Sequence, residues 1–510
     1  MKYFFSKLMI GTYIKLPSIL LKMETDMDTR MEMFKKYLDR TNMEHKQYQY
    51  DGVRWCLNNE LREDPVCNVR GGFIADEMGL GKTIMMIGLM YSNFVPRTLV
   101  VVPPILIDQW YVQIYKTTGH KSLIYHGDNK KTITLDNLNA ARIVITTYGA
   151  ATLTKKQLAN KDYTLLHRVS WSRIIFDEAH HLRNSSTTRY MGARLLPAKI
   201  RWLVSGTPVQ NSKKDFYSLC AFIRLPASFY TVTDNLRLLT RAFILKRTKK
   251  QVGIVISDIH VDKSVVNWSS QKEMLLAEGL HSTLSFSRVN PQKSFDNQIV
   301  NIFRESGPLS LMLRAKQSCI YPKLMTRHLD KLVEKGFISD YSSYKEMFDH
   351  SSKLDAVVNT ILQHKDNGCG KLIFCHFREE IDEIADRLRS GGMTMVATFD
   401  GRTSGTKRYE ILSQKNEALV LQIQTGCEGL NLQENYSEIY FISPHWNPAI
   451  EDQAIARCHR IGQTKPVHVH RFEMCPFVPE EEDVSTKTID KYVNDIQEGK
   501  RIVVNEILNE

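Results

Sequence analysis

Between Gly71 and Pro208 the chain repeatedly sets a short apolar run ahead of a polar or glycine-rich stretch: GGFIADEMG, RTLVVVPP, RIVITTYG, RIIFDEAH and RWLVSGTP. Runs this short and this rich in Val, Ile and Leu suit strands buried on both faces, which is the habit of parallel sheets. Helical-looking segments such as KTIMMIGLMYSNF and IDQWYVQIYKTTG separate them. The order is therefore β-α-β, and the expectation is a parallel sheet covered by helices on both sides. Ligands bind such sheets beyond the carboxyl ends of the strands, where the polar stretches fall.

A second block of the same kind runs from Lys371 to Phe472 through KLIFCHF, TMVATFDG, ALVLQIQTG, EIYFISP and VHVHRF. Between the blocks the sequence has longer amphipathic stretches, few strand-like runs and loop chemistry around Asn290 to Ser294, which predicts a mainly helical insertion. The fold class is thus α/β, two parallel-sheet lobes with a helical insertion. The expected divisions are an N-terminal extension over 1–44, a first lobe over 45–241, insertion and linker over 242–350, a second lobe over 351–475, and a linker with a closing helix over 476–510. The acidic run Glu480 to Asp483 fits a solvated linker.

Lys and Arg number 68 against 56 Asp and Glu, a net charge of +12. That balance suits a polyanionic partner without requiring one. The nine cysteines form no CxxC pair, so reduced thiols and no structural zinc are expected. His180 and His181 are adjacent and face different ways, and His468 and His470 alternate along a strand, so neither pair resembles a metal site. The segment before Glu24 is apolar and basic but is broken by Lys7, Lys15 and Pro17, which argues against a signal sequence or a membrane span.

The loop Asp76-Glu77-Met78-Gly79-Leu80-Gly81-Lys82-Thr83 follows the strand-like GGFIA and precedes the apolar TIMMIGLM. A phosphate cradle needs that strand, loop, helix context. Gly79 and Gly81 permit a tight turn and close backbone approach, and the helix N-terminus offers free N–H groups. Lys82 would reach the β- and γ-phosphates of ATP, and Thr83 would ligate magnesium. Asp76 stands where the GxxxxGK pattern has its first glycine. The tetrad Asp177-Glu178-Ala179-His180 ends another apolar run; Asp177 would hold magnesium through water, and Glu178 would orient and deprotonate the attacking water.

The string GGFIADEMGLGKT, followed by VVPPILIDQW, ITTYGA, FDEAHHLRN and LVSGTPVQNS, resembles the Swi/Snf-type family of chromatin-remodelling, double-stranded-DNA-translocating ATPases. LIFCHF, TGCEGLNLQ and SPHWNPAIEDQAIARCHRIGQTKPVHVHRF extend the resemblance over roughly residues 45 to 505. It implies two RecA-like lobes with ATP bound between them. It also implies that Gln49 reads the adenine, that Ser205, Gly206 and Thr207 couple phosphate state to the DNA-facing surface, and that Gln453, Arg457 and Arg460 complete the site from the second lobe. Arg460 is the favoured finger, with Arg457 close behind. The closing segment TKTIDKYVNDIQEGKRIVVNEIL is similar to the family's brace helix. The short length resembles the family's baculovirus global-transactivator branch, which implies a nuclear role in transcription with targeting left to protein recruiters.

Two other readings stay open. A DEAH-type RNA helicase shares fold and tetrad, although that class has SAT where this chain has Ser205-Gly206-Thr207 and ends on GRxGR where this chain has ARCHRIGQ. A non-catalytic DNA- or transcription-factor-binding scaffold would have no need of Lys82, Asp177, Glu178 and both arginines together. Trp110 and Trp446 are expected to be core, and Arg241, Lys246, Arg247, Lys249 and Lys250 to touch phosphates or form a solvated helix face.

Overall fold

The computed structural model describes residues 27–207, 212–287, 298–305, 307–426, 430–477 and 487–508. Pro208, the Asn290 to Ser294 loop, the acidic run Glu480 to Asp483 and part of TGCEGLNLQ lie outside them. The first sheet contains β1 (Arg70–Ile74), β2 (Thr98–Val102), β3 (Leu123–Tyr125), β4 (Ile143–Thr147), β5 (Trp171–Asp177), β6 (Ala198–Val204) and β7 (Ile244–Leu245). Their order across the sheet is β3-β4-β2-β5-β6-β1-β7, with every neighbour parallel. The second sheet contains β8 (Ile259–Val266), β9 (Gly370–Cys375), β10 (Val396–Phe399), β11 (Ala418–Gln422), β12 (Tyr436–Phe441) and β13 (Val467–Met474). It runs β10-β11-β9-β12-β13-β8, again all parallel.

All ten apolar runs form strands, and β2, β4 and β12 are buried along their whole length. That is the cost-free place for continuous Val, Ile and Leu, since both sheet faces are covered. Two strands depart from the expected boundaries. The pair Ile244–Leu245 extends the first sheet, and Ile259–Val266 is the edge of the second, although both fall where a helical insertion is expected. Seven residues of β8 are exposed and only Val266 is buried, so the alternating Ile259, Val261 and Val265 face water and Lys263 breaks their run.

The helices of the middle region also belong to the second lobe. Leu276 and Leu280 from Gln271–His281, and Leu311, Ala315 and Cys319 from Pro308–Ile320, share one core with Ile373 and Tyr440 of the second sheet. At the other end of the chain, helix Met27–Arg40 is built into the first lobe. Met31, Phe34 and Leu38 recur at helical spacing and are buried. Phe34 lies so close to Gly88 that a Cβ there would sit 2.3 Å from its ring.

Helix Gln47–Leu61 is anchored by Glu60. Glu60 and Arg173 of β5 form a salt bridge with both side chains at 0% exposure. Trp202 Nε1 donates to Glu60 Oε1 at 2.8 Å and Asn93 Nδ2 donates to Oε2 at 2.6 Å, so the buried carboxylate is fully engaged. This fixes the helix that carries Gln49 against the sheet.

The last helix, Ile489–Leu508, starts in the second lobe and ends on the first. Asp490 pairs with buried Lys353 and accepts from Ser443 Oγ at 2.7 Å, whereas Val503 and Val504 pack against the first-lobe core. Among the described residues no helix is long and apolar enough to cross a membrane.

Candidate active site

Strand β1 delivers the loop 75–81 and helix Lys82–Ser92 begins immediately after it. Gly79 and Gly81 adopt φ of +91° and +79°, the left-handed region where a side chain is strained. A Cβ on Gly81 would also meet Gln49 Nε2 at 2.5 Å. The loop's backbone therefore needs glycine for conformation and for space. Gln49 is buried and donates from Nε2 to the Leu80 carbonyl at 3.4 Å, which seats it on the loop itself.

Lys82 Nζ donates to the carbonyl of Asp76 at 2.8 Å. Burial lowers its pKa, opposed by the charges of Glu178, Asp76 and Asp177 and reinforced by Arg457. Its ammonium and Arg457 thus lie within one electrostatic neighbourhood, although they come from different lobes. Thr83 follows in the first helical turn.

Asp177 is the last residue of β5, and Glu178 turns the chain at φ +52°. A non-glycine residue in that region is strained and is found where the fold needs a side chain in a particular place. Trp110 Nε1 donates to Asp177 Oδ2 at 2.8 Å, the Glu178 N–H donates to Oδ1 at 3.0 Å, and Tyr148 OH donates to the Asp177 carbonyl at 2.6 Å. Burial, then the neighbouring Glu178, pushes the Asp177 carboxyl upward. Burial pushes Glu178 the same way, but His180, Arg457 and Lys82 together outweigh it and hold that carboxyl down. Glu178 Oε2 lies 3.3 Å from His180 Nδ1. Two adjacent carboxylates in a buried pocket repel, and a cation shared between them relieves that repulsion. The carboxylate of Asp177 and the hydroxyl that Thr83 carries in the first turn after the loop are oxygen donors of the kind magnesium takes.

The Asp76 carboxylate is committed elsewhere. Arg247 Nε donates to Asp76 Oδ1 at 3.0 Å and Nη2 donates to Oδ2 at 2.5 Å, while Nη1 donates to the Tyr48 carbonyl. Lys249 is buried, pairs with Glu77 Oε1 at 3.0 Å, and donates to the carbonyl of His459 at 3.1 Å. Two cations of the RAFILKRTKK cluster are therefore engaged by the loop's own carboxylates and do not stand on a solvated helix face. They clamp the loop, and Lys249 ties it to the second lobe. The cluster has this position because β7 lies beside β1 and the chain runs on past the loop's flank.

From the second lobe, Gln453 Nε2 donates to Thr207 Oγ1 at 3.3 Å. Thr207 N–H donates to Ser205 Oγ at 3.2 Å, and a Cβ on Gly206 would lie 3.4 Å from Lys82 Nζ and 2.9 Å from the Met78 side chain. The SGT turn thus touches the lysine on one side and the second lobe on the other. Arg460 donates from Nη1 to Asn431 Oδ1, and its Cβ would lie 3.7 Å from a Cβ on Gly79. Arg457 is the arginine whose charge is felt at Glu178 and Lys82. The sequence singles out neither Tyr148 nor His459, and it presents Trp110 only as core and Arg247 and Lys249 only as members of a basic cluster. Trp110 and Tyr148 stand inside the quoted strings VVPPILIDQW and ITTYGA, but only their tertiary contacts reveal what they hold. Trp446, the other tryptophan expected in the core, packs partly buried against the second-lobe cluster and accepts from Lys500 Nζ through its carbonyl.

An SNF2-related domain matches residues 48–324, and a helicase conserved C-terminal domain matches residues 352–462. A probable global transactivator of Orgyia pseudotsugata multicapsid polyhedrosis virus is 27% identical over 497 residues, 92% of each chain. The ISWI chromatin-remodeling complex ATPase ISW2 of Saccharomyces cerevisiae is 27% identical over 457 residues, 84% of this chain and 38% of its own length. The DNA excision repair protein ERCC-6-like of Bos taurus is 25% identical over 507 residues, 85% of this chain and 40% of its own. The chain therefore spans less than half of these last two relatives. Among solved structures, the Sulfolobus solfataricus SWI2/SNF2 ATPase core in complex with dsDNA covers 91% of this chain and 92% of its own at 24% identity, with a TM-score of 0.37.

Proposed function

Because the chain belongs to the SNF2-related family of ATP-hydrolysing, helicase-like enzymes, we propose that it translocates on double-stranded DNA and remodels protein–DNA complexes in the nucleus, in the service of transcription. The observation that carries this reading is the composite site. Around the phosphate loop and DEAH tetrad of one lobe, Gln453 of the other lobe bonds Thr207, the His459 carbonyl accepts from Lys249, and the charge of Arg457 reaches Glu178, so a nucleotide bound there would control how the lobes sit against each other.

In this mechanism the loop amides, Lys82 and the helix N-terminus bind the phosphates of ATP, and Gln49 contacts the adenine. Thr83 and Asp177 would hold magnesium, which when bound neutralises charge between the β- and γ-phosphates. Glu178, kept ionised by His180, Arg457 and Lys82, accepts the proton of the attacking water. Arg457 supplies positive charge to the transferring phosphoryl group, and Arg460 lies beside the loop at Gly79. Loss of the γ-phosphate is relayed through the Lys82, Gly206, Thr207 and Gln453 chain to the second lobe. Repeated closure and release would ratchet the lobes along a phosphate backbone, with salt-sensitive and nearly sequence-independent contacts.

The names of relatives, a viral transactivator and a chromatin-remodeling ATPase, support transcription and duplex DNA over RNA. The family match also places the DEAH tetrad among SNF2-related sequences, so the tetrad does not designate a DEAH-type RNA helicase. The test is displacement of a third strand from triplex DNA together with hydrolysis measured on duplex DNA, single-stranded DNA and RNA. ATP-dependent triplex displacement and stimulation by duplex DNA are expected. Stimulation by RNA alone would refute the proposal, and DNA binding without hydrolysis would favour the scaffold reading.

A further inference from the structure

In the first lobe, helices Thr188–Leu195 and Lys213–Phe222 border an open groove of about 820 Å³ that includes no residue of the 75–83 loop. Met191 and Leu195 line one wall, both more than 40% exposed, and Tyr217 and Ala221 line the other. Tyr230 lies 5.5 Å from Tyr217, ring to ring, and extends that wall. Apolar side chains left in water along a groove between two helices form a surface suited to a peptide.

The charge along the groove is of one sign. Arg194, Lys214 and Arg224 line it, and no carboxylate stands among its described lining residues. Beneath them Arg201 of β6 is 2% exposed. Its Nη2 donates to the carbonyls of Arg194 at 3.2 Å and Leu196 at 2.5 Å, and its guanidinium lies over the Phe222 ring at 5.6 Å. Its Nε and Nη1 have no hydrogen-bond partner among the described residues. Burial, then Arg224 and Arg194, lowers its pKa to about 9. A buried cation is ordinarily paired, because desolvation without a partner is costly. Here its charged neighbours are more cations.

Arg224 adds an independent sign. It follows helix Lys213–Phe222 at φ +72°, a helix-ending position where glycine or asparagine is the low-strain choice. The chain keeps an arginine there, and such strain at a charged residue points to use of its side chain.

We propose that this groove docks an acidic, apolar peptide segment of a partner protein, whose carboxylates meet Arg194 and Arg224, backed by the buried charge of Arg201, while its apolar side chains cover Met191 and Leu195. A peptide suits it better than a nucleic acid. The exposed walls are aliphatic and aromatic side chains between two helices, which the apolar side chains of a peptide cover and a phosphate backbone, met by cations alone, leaves in water. The inference does not depend on the translocase reading.

The test is selection of a random 15-residue peptide library on the full chain, followed by fluorescence anisotropy of the enriched peptides with wild type, Arg194→Glu/Arg224→Glu and Met191→Ser/Leu195→Ser. Enriched peptides are expected to combine Asp or Glu with Leu or Phe. Charge reversal is expected to weaken them at least tenfold, and loss of the apolar wall at least threefold, with the melting temperature and DNA-stimulated hydrolysis unchanged. Selection that yields no peptide sensitive to both variants overturns the proposal. So does competition by a 20-base-pair duplex together with equal loss of duplex binding on charge reversal, which would make the groove a nucleic-acid site.

Discussion

Gln453 Nε2 of the second lobe donates to Thr207 Oγ1 of the first at 3.3 Å, a side-chain bond that joins the two halves of the motor across the nucleotide cleft. Thr207 follows Gly206, on which a Cβ would lie 3.4 Å from Lys82 Nζ, so this bond connects the surroundings of Lys82 to the opposite lobe. Gln453→Ala and Thr207→Val are each expected to reduce DNA-stimulated hydrolysis severalfold. The double variant should be no worse than the poorer single one, a coupling of about 1 kcal/mol in a double-mutant cycle. Strictly additive losses would remove the bond from the relay.

Trp110 is a positioning residue for Asp177. Trp110→Phe keeps an aromatic ring in the core but removes the donor to Asp177 Oδ2, leaving a buried acceptor unpaired at about 1–3 kcal/mol. The expected result is roughly tenfold slower turnover and a higher magnesium concentration for half-maximal rate. A purely structural role would lower the melting temperature and leave the magnesium dependence alone.

Glu178→Gln removes the carboxylate proposed to accept the proton of the attacking water while retaining shape and hydrogen-bonding capacity. Turnover is expected to fall by about 10²–10⁴-fold, with ATP binding, measured with a fluorescent nucleotide, within a few-fold of wild type. Turnover at the native rate would exclude Glu178 as the base.

The buried Glu60–Arg173 pair fixes the helix that bears Gln49. Glu60→Gln leaves the Arg173 cation buried without its counter-charge and is expected to cost about 3–5 kcal/mol in urea unfolding. Replacing both residues by apolar ones, Glu60→Leu with Arg173→Met, should recover much of that stability. A single variant as stable as wild type would contradict the assignment of that pair as the helix anchor.

Glu380 gives the second lobe a pH dependence. Burial raises its carboxyl to about 7, against backbone N–H donors from Phe377 at 2.9 Å and His376 at 2.8 Å. A carboxyl with a folded pKa above its ordinary value of 4.5 binds its proton more tightly when folded. Its contribution is therefore fully present below about 4.5 and declines as pH rises through about 7. Glu380→Gln should reduce that decline, so that its urea midpoint relative to wild type is higher at pH 8 than at pH 5. The opposite ordering would show that the carboxylate is stabilised in its ionised form.

The two parallel sheets, the glycine loop and the acidic tetrad are legible in the residues alone, because they depend on local rules. Continuous apolar runs have one stable home, between helix layers, and Gly79 and Gly81 occupy backbone conformations that glycine tolerates best. Strand β8 is an exposed edge held by its pairing with β13, and its short alternation of Ile259, Val261 and Val265, broken by Lys263, is too weak to set it apart from the helical stretches around it. Tertiary structure alone decided which distant partners meet. By laying β1 between β6 and β7 it brought the SGT turn and Arg247 to opposite flanks of one loop. By apposing the lobes it set Gln453 on Thr207 and Lys249 on His459. Such pairs are chosen by sheet order and lobe packing, which no local spacing of residues encodes.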